Sequence, residues 1–143
     1  MAVLIDSNVI ISFLIQSDKT DEARKLLEKI DEPVTILNVV EETIYIGLSL
    51  IYGVRGPKLK EEIKKGLNDT AKYFLKSLES FLVDFEVKLV EPPNKVNLLI
   101  EIIEKYGLLP NDALIAATCK LYGLRIATFD EDFRRVEFLE VIS

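Results

Sequence analysis

The chain has 143 residues, 49% of them hydrophobic, and a formal net charge of −6. That length and apolar content suit one domain, residues 1–143, with a substantial core, and exclude a disordered chain. Histidine is absent and Cys119 is the only cysteine, which removes Ser-His-Asp and Cys-His catalysis, histidine metal ligands and an internal disulfide.

No apolar run reaches the ~18 residues of a membrane-spanning helix, so no membrane association is expected. No basic patch precedes an apolar stretch at the N-terminus, and a secretory signal is not expected either. A lone thiol fits a reducing compartment, so the expected location is cytoplasmic. The acidic balance argues against broad, purely electrostatic nucleic-acid binding but leaves room for a local basic surface.

In chain order, Val3 to Ile5 reads as a buried strand that runs into Asp6-Ser7-Asn8. Ser7 or Asn8 is placed to cap a helix carrying Ile10, Ile11, Phe13 and Leu14. A second helix opens at Thr20 or Asp21, with Ala23, Leu26, Leu27 and Ile30 on one face. Val34 to Leu37 reads as a short strand. Asn38 then reads as a helix cap, with Glu41 as its capping-box partner, and that helix runs to about Ile51. It is apolar on nearly all sides, which predicts a well-buried position. Gly53-Val54-Arg55-Gly56-Pro57 is the clearest turn. Helical stretches from about Lys58 to Gly66 and Asp69 to Val83 read as a helical hairpin, about residues 53–83, added to an α/β core. Val87 to Val90 is the third strand, followed by a helix from about Lys95 to Tyr106. Pro110-Asn111-Asp112 opens a small-residue helix. Arg125 to Thr128 and Leu139 to Ile142 complete the strands. Strands alternating with helices predict crossover connections and a mainly parallel sheet flanked by helices.

Acids recur in one kind of place. Asp6 and Asp130 follow strands, Glu41 and Glu42 follow the second strand closely, and Asp112 lies in the first turn of its helix. In a parallel sheet those positions share one edge, so the acids can converge. Converging carboxylates raise one another's pKa unless a cation neutralises them, and hard oxygen ligands suit Mg²⁺ or Mn²⁺. A metal so held can polarise a phosphate and activate a water, and in a chain without histidine phosphodiester hydrolysis is the simplest chemistry such a set supports. Each acid also has a plain structural role open to it, at a cap or in an acidic turn. Glu41 has the capping role beside Asn38, which leaves Glu42 for the site.

These residues resemble a known family. Asp6-Ser-Asn after a hydrophobic strand, Val39-Val-Glu-Glu-Thr43, Leu109-Pro-Asn-Asp-Ala-Leu-Ile-Ala-Ala117 and Ala127-Thr-Phe-Asp-Glu-Asp-Phe133 look like the four acidic motifs of PIN-domain ribonucleases, in order and along nearly the whole chain. Within the family the chain resembles the stand-alone, VapC-like toxin type. The resemblance implies a three-layer α/β fold and Mg²⁺- or Mn²⁺-dependent cleavage of RNA. Carried over by motif, Asp6, Glu42, Asp112 and Asp130 would hold the metal. Asn8 and Thr128 would be polar supports or substrate contacts, and Asp132 a weaker candidate for a second metal. It also implies a homodimer and, for the toxin type, a cognate antitoxin partner that occupies the active-site groove.

Other features have competing readings. Lys58, Lys60, Lys64 and Lys65 could track an RNA backbone, but Glu61 and Glu62 interrupt them, as on a solvated helix face. Arg134 and Arg135 lie just past the fourth motif and are better placed to touch phosphate. Tyr73, Phe74, Phe81 and Leu82 have the helical spacing of a hairpin core or dimer interface, and Cys119 reads as a small packing residue. The rival functions are a PIN-fold nuclease in RNA processing, a non-catalytic PIN-fold binding scaffold, and a phosphotransferase using Asp6 as nucleophile. The haloacid-dehalogenase pattern for that last chemistry needs Asp-x-Asp, and Asn8 stands at its third position.

Overall fold

A computed structural model describes all residues, 1–143. Five parallel strands form one sheet: β1 (Ala2–Ile5), β2 (Glu32–Thr35), β3 (Lys88–Leu89), β4 (Arg125–Ala127) and β5 (Val141–Ile142). Their spatial order is β3-β2-β1-β4-β5. The register pairs Leu4 with both Val34 and Ile126, so β1 lies at the centre. The helices are α1 (Ser7–Leu14), α2 (Thr20–Glu28), α3 (Leu37–Tyr52), α4 (Pro57–Lys64), α5 (Asp69–Asp84), α6 (Val96–Tyr106) and α7 (Pro110–Tyr122), with a 3₁₀ turn at Glu131–Arg135.

The chain moves outward from β1 to β2 and β3, then returns across the sheet to β4 on the other side of β1. Right-handed crossovers therefore put α1–α5 on one face and α6–α7 on the other, a three-layer α/β fold. The packing agrees, with α1, α2, α3 and α5 against one another and α6 against α7. The reversal of strand order falls between β1 and β4, the place where open α/β sheets leave a crevice at the carboxyl ends of their strands.

The central strands β1 and β4 can be short because they are largely apolar and enclosed on both faces. Val3, Leu4, Ile5, Ile126 and Ala127 are buried beneath Val9, Ile10 and Val39 on one side and Ile115 and Cys119 on the other. The small residues of α7 let that helix lie close to the sheet. The hairpin α4–α5 docks through Phe74, whose ring stands over Gly47 of α3: a Cβ there would come within 2.1–2.8 Å of the ring carbons. Phe81 and Phe85 extend the seam to Phe13 of α1. Phe74 and Phe81 are thus core residues, whereas Tyr73 is exposed. No single helix is long and apolar enough to cross a membrane.

Three local expectations change. The second strand ends at Thr35, and α3 starts at Leu37 with Ile36 in the cap position and no side-chain cap bond, so Asn38 lies inside the helix and Glu41 is not its capping partner. Ile36 is fully buried; its burial fixes the strand-to-helix corner, which overrides the capping preference of Asn38. At the first corner neither Ser7 nor Asn8 is the cap: Asp6 is, accepting from the Ser7 amide. The third and fifth strands shrink to two residues each, as suits edges with one neighbour.

Candidate active site

Asp6 leaves the end of β1 only 3% exposed. Its backbone amide continues the sheet by donating to Ala127 O. One carboxylate oxygen accepts from the Ser7 amide at 2.8 Å, and the other from the Thr128 hydroxyl at 2.8 Å and the Asn8 amide at 3.4 Å. Asn8 also donates to Thr128 Oγ1 at 3.2 Å and accepts from the Phe129 amide at 3.1 Å. The Asp130 amide donates to Thr128 Oγ1. Asn8 and Thr128 therefore tie the end of β1 to the end of β4 and orient Asp6 between them.

Asp130 itself caps the 3₁₀ turn, accepting from the Asp132 amide at 2.9 Å. Asp112 sits in the first turn of α7, half-buried. Glu42 lies on α3 one turn and a half from its start, facing the same edge. Its carboxylate accepts from the Ser7 hydroxyl on one oxygen and from the Asn111 side-chain amide on the other. Glu41 points elsewhere: it is exposed and lines a surface depression with Leu37, Leu89 and Glu91. Asp132 is exposed at the rim, with Arg135 3.5 Å away. The structure thus gathers Asp6, Glu42, Asp112 and Asp130 at one sheet edge with Asp132 beside them, and leaves Glu41 outside.

Electrostatics records the convergence. Burial is the main reason that the Asp6 carboxyl is pushed up to about 6; Glu42 and Asp130 add to it, while the bonds from Thr128 and Ser7 oppose it. Asp112 is pushed up to about 7, by burial first and then by Asp6, Asp130, Glu42 and Asp132. Like charges sharing a poorly hydrated site have this effect. None of the ion pairs in the molecule involves Asp6, Glu42, Asp112 or Asp130, so no protein cation offsets the repulsion. The Cys119 thiol, pushed up to about 12 by burial and the nearby Asp6, is inert packing.

The donor set is all oxygen, which suits Mg²⁺ or Mn²⁺ rather than a softer ion. No three of the acids close into a ready cage. Mg²⁺ usually keeps several of its waters, so holding it does not require a closed cage of carboxylates. The support that Glu42 receives from Ser7, expected only as a helix cap, and from Asn111, with no role evident in the sequence, comes from residues inside the first and third motifs. Asn111 had one available signal, a polar amide beside an acid in the first turn of a helix at the sheet's functional edge.

Arg134 and Arg135 are engaged with protein groups, and the lysines of α4 are exposed, as on a solvated helix face. The Arg135 guanidinium donates to Tyr106 O at 2.8 Å and Gly107 O at 3.1 Å, closing the carboxyl end of α6. Arg134 pairs with Glu131 at 2.9 Å and donates to Ser143 Oγ. The lysines of α4 follow the far end of α3, and roughly 15 Å of helix separates Glu42 from Tyr52. Lys19 is nearer, its ammonium 5.4 Å from the Phe129 ring centroid.

Comparison with known proteins agrees with this geometry. The family model for the PIN domain matches residues 3–139. Ribonuclease VapC2 of Methanocaldococcus jannaschii is 37% identical over 148 residues, covering 99% of this chain and 93% of the relative. Ribonuclease VapC6 of the same organism is 35% identical over 153 residues, covering 99% and 96%. Among solved structures, a chain of a toxin–antitoxin complex from Klebsiella pneumoniae superposes with a TM-score of 0.66 at 18% identity, covering 99% of this chain and 96% of that one. The match along almost the whole length, with the four acidic motifs at one sheet edge, establishes that the chain belongs to the PIN-domain family, in its VapC-like group.

Proposed function

We propose that the protein is a metal-dependent endoribonuclease and the toxin of a toxin–antitoxin pair. The observation that carries the reading is the set of four acids at the switch point, buried enough to push Asp6 to about 6 and Asp112 to about 7 and without a basic partner. Relatives named as ribonucleases at 35–37% identity support the substrate class. A neighbour described as a toxin–antitoxin complex supports an antitoxin partner.

Asp6, Glu42, Asp112 and Asp130 would hold Mg²⁺ or Mn²⁺, which when bound supplies Lewis acidity toward a phosphodiester and a more acidic water. Asp6 anchors the centre, since Ser7, Asn8 and Thr128 fix both its oxygens. Those same bonds leave it poorly disposed to attack phosphorus as a nucleophile, which weighs against the phosphotransferase reading. Asp130 and Asp112 approach from the other side of the crevice on a capped turn and a helix start. The exposed Asp132 is the candidate for a second ion.

Three comparisons test the reading. RNA incubated with the wild type and Mn²⁺ or Mg²⁺ is cleaved internally, and chelation stops it. Asp6→Asn folds but does not cleave. Expression in a bacterial host arrests growth, and co-expression of the product of an adjacent small gene restores it. A wild type that neither binds Mn²⁺ nor cuts any RNA overturns the enzymatic part. Cleavage without growth arrest favours a role in RNA processing instead.

A further inference from the structure

We propose that Asn111 is a positioning residue for the metal site, acting through Glu42 in concert with Ser7; this rests on the metal-dependent reading above. Glu42 is the one acid of the four delivered from mid-helix rather than from a corner between elements. Asp6 and Asp130 are held by backbone amides of their own turns. Glu42 has no such local support and carries a long, flexible side chain.

Its support comes from two other elements. Ser7, in the first turn of α1 and 3% exposed, donates to one carboxylate oxygen. Asn111, in the first turn of α7, donates to the other. Asn111 has no competing structural task in its own helix: Leu109 occupies the cap position of α7, and no side chain caps it. Were the amide turned over, its oxygen would face a carboxylate oxygen, so the donor orientation follows from the charge of Glu42.

Both donors are neutral, which matters for an ion site. An arginine or lysine in either place would cancel the charge that Glu42 offers. A hydroxyl and an amide fix the carboxylate and leave its charge intact. A carboxylate has roughly four lone-pair sites, so one donor on each oxygen leaves a site on each for an ion or its water. Asn111 also neighbours Asp112, so a single turn carries one candidate ligand and the grip on another. A displacement of α7 would therefore move Asp112 and release Glu42 together.

The test is a double-mutant cycle read by Mn²⁺ calorimetry on the full chain, with cleavage as a second readout. Asn111→Leu keeps the side-chain volume and removes the donor. It weakens Mn²⁺ binding about ten-fold, within the range found when the support of a metal ligand is lost, and raises the Mn²⁺ needed for half-maximal cleavage equally. The KM for RNA at saturating Mn²⁺ stays within two-fold. In a Glu42→Gln background the same substitution changes Mn²⁺ affinity by less than two-fold, because the group it acts through is gone. If Asn111→Leu does not fold, Ser7→Ala replaces it in the cycle with the same expectation. Equal weakening in both backgrounds, or no weakening in the Glu42 background, overturns the proposal. Failure of the wild type to bind Mn²⁺ overturns the metal-site reading itself.

Discussion

One helix, α3, serves two regions built on opposite principles. Near its start, Glu42 enters a cluster of acids that repel one another. About one and a half turns beyond, Gly47 receives the ring of Phe74 and seats the α4–α5 hairpin. The seam is apolar, closely packed and stabilising. The site is polar, electrostatically unsatisfied by protein groups and costly to the fold. The chain can therefore hold a site at odds with its own stability. Three of the acids sit on corners and helix starts and Glu42 sits within α3, on backbones fixed by buried apolar neighbours, Val3–Ile5, Ile36, Val39 and Ile115, so repulsion raises pKa values without displacing the elements.

Emptying the seam should have the largest effect. Phe74→Ala removes a ring that is 4% exposed and is expected to cost about 3–5 kcal/mol in urea unfolding. Under conditions where the variant is still folded, Mn²⁺ affinity should match the wild type. A parallel loss of Mn²⁺ binding would show that seam and site are one cooperative unit.

Filling the seam is the next test. Gly47→Ala sets a methyl against the Phe74 ring and should cost about 1–3 kcal/mol. Phe74→Leu in the same chain should recover part of that loss, because the two positions share one contact. Additive losses would mean that the ring moves aside freely and that the glycine is present for another reason.

The site should respond with the opposite sign. Asp112→Asn abolishes Mn²⁺-dependent cleavage yet stabilises the metal-free fold at pH 8 by about 1–2 kcal/mol, a figure discounted for its partial exposure. The folded chain holds protons on Asp112 up to about 7 and on Asp6 up to about 6, against an ordinary aspartate value of 3.8. The folded state therefore binds more protons than the unfolded one across that window. Stability of the metal-free wild type is greatest below about pH 4 as far as these two groups are concerned, and falls as pH rises through about 6 and then about 7. Thermal melts from pH 4 to 8 should show the decline, Asp112→Asn should flatten it, and Mn²⁺ should raise the melting temperature far more at pH 8 than at pH 5. A profile that is unchanged by Asp112→Asn would sink the electrostatic account.

How legible these two regions were differs for a physical reason. The acids were readable because the end of a parallel strand and the start of the next helix are marked in sequence, and topology alone brings such places together. The Gly47–Phe74 seam was not, since a glycine inside a uniformly apolar helix and an aromatic in a distant one carry no sign that they meet. The cap expected at Asn38 does not form because capping preference is worth about 1 kcal/mol, less than the burial of Ile36 two residues earlier at the same corner. Glu42 was separated from Glu41 on that mistaken cap. The structure distinguishes them on other grounds, the donors from Ser7 and Asn111. Those donors come from α1 and α7, and a pairing across 69 residues is not visible from either end.

The smallest effect concerns Arg135, where the sequence and the structure give different accounts. Sequence position suggests a phosphate contact beside the fourth motif. In the structure its guanidinium donates to the last carbonyls of α6, at Tyr106 and Gly107, and sits near Asp132. Such side-chain donors complete a helix end that would otherwise be open to solvent. Arg135→Ala is then expected to cost about 0.5–1.5 kcal/mol and to speed amide exchange in the Asp130–Asp132 turn. Arg135→Lys should not restore the loss, since one ammonium cannot span both carbonyls as the planar fork does. RNA binding measured against salt in a chelator separates the two accounts. A strut leaves the salt slope unchanged, whereas a phosphate contact lowers it by about one when removed. If the slope falls and stability does not, Arg135 belongs to the substrate and the edge of the site extends as far as α6.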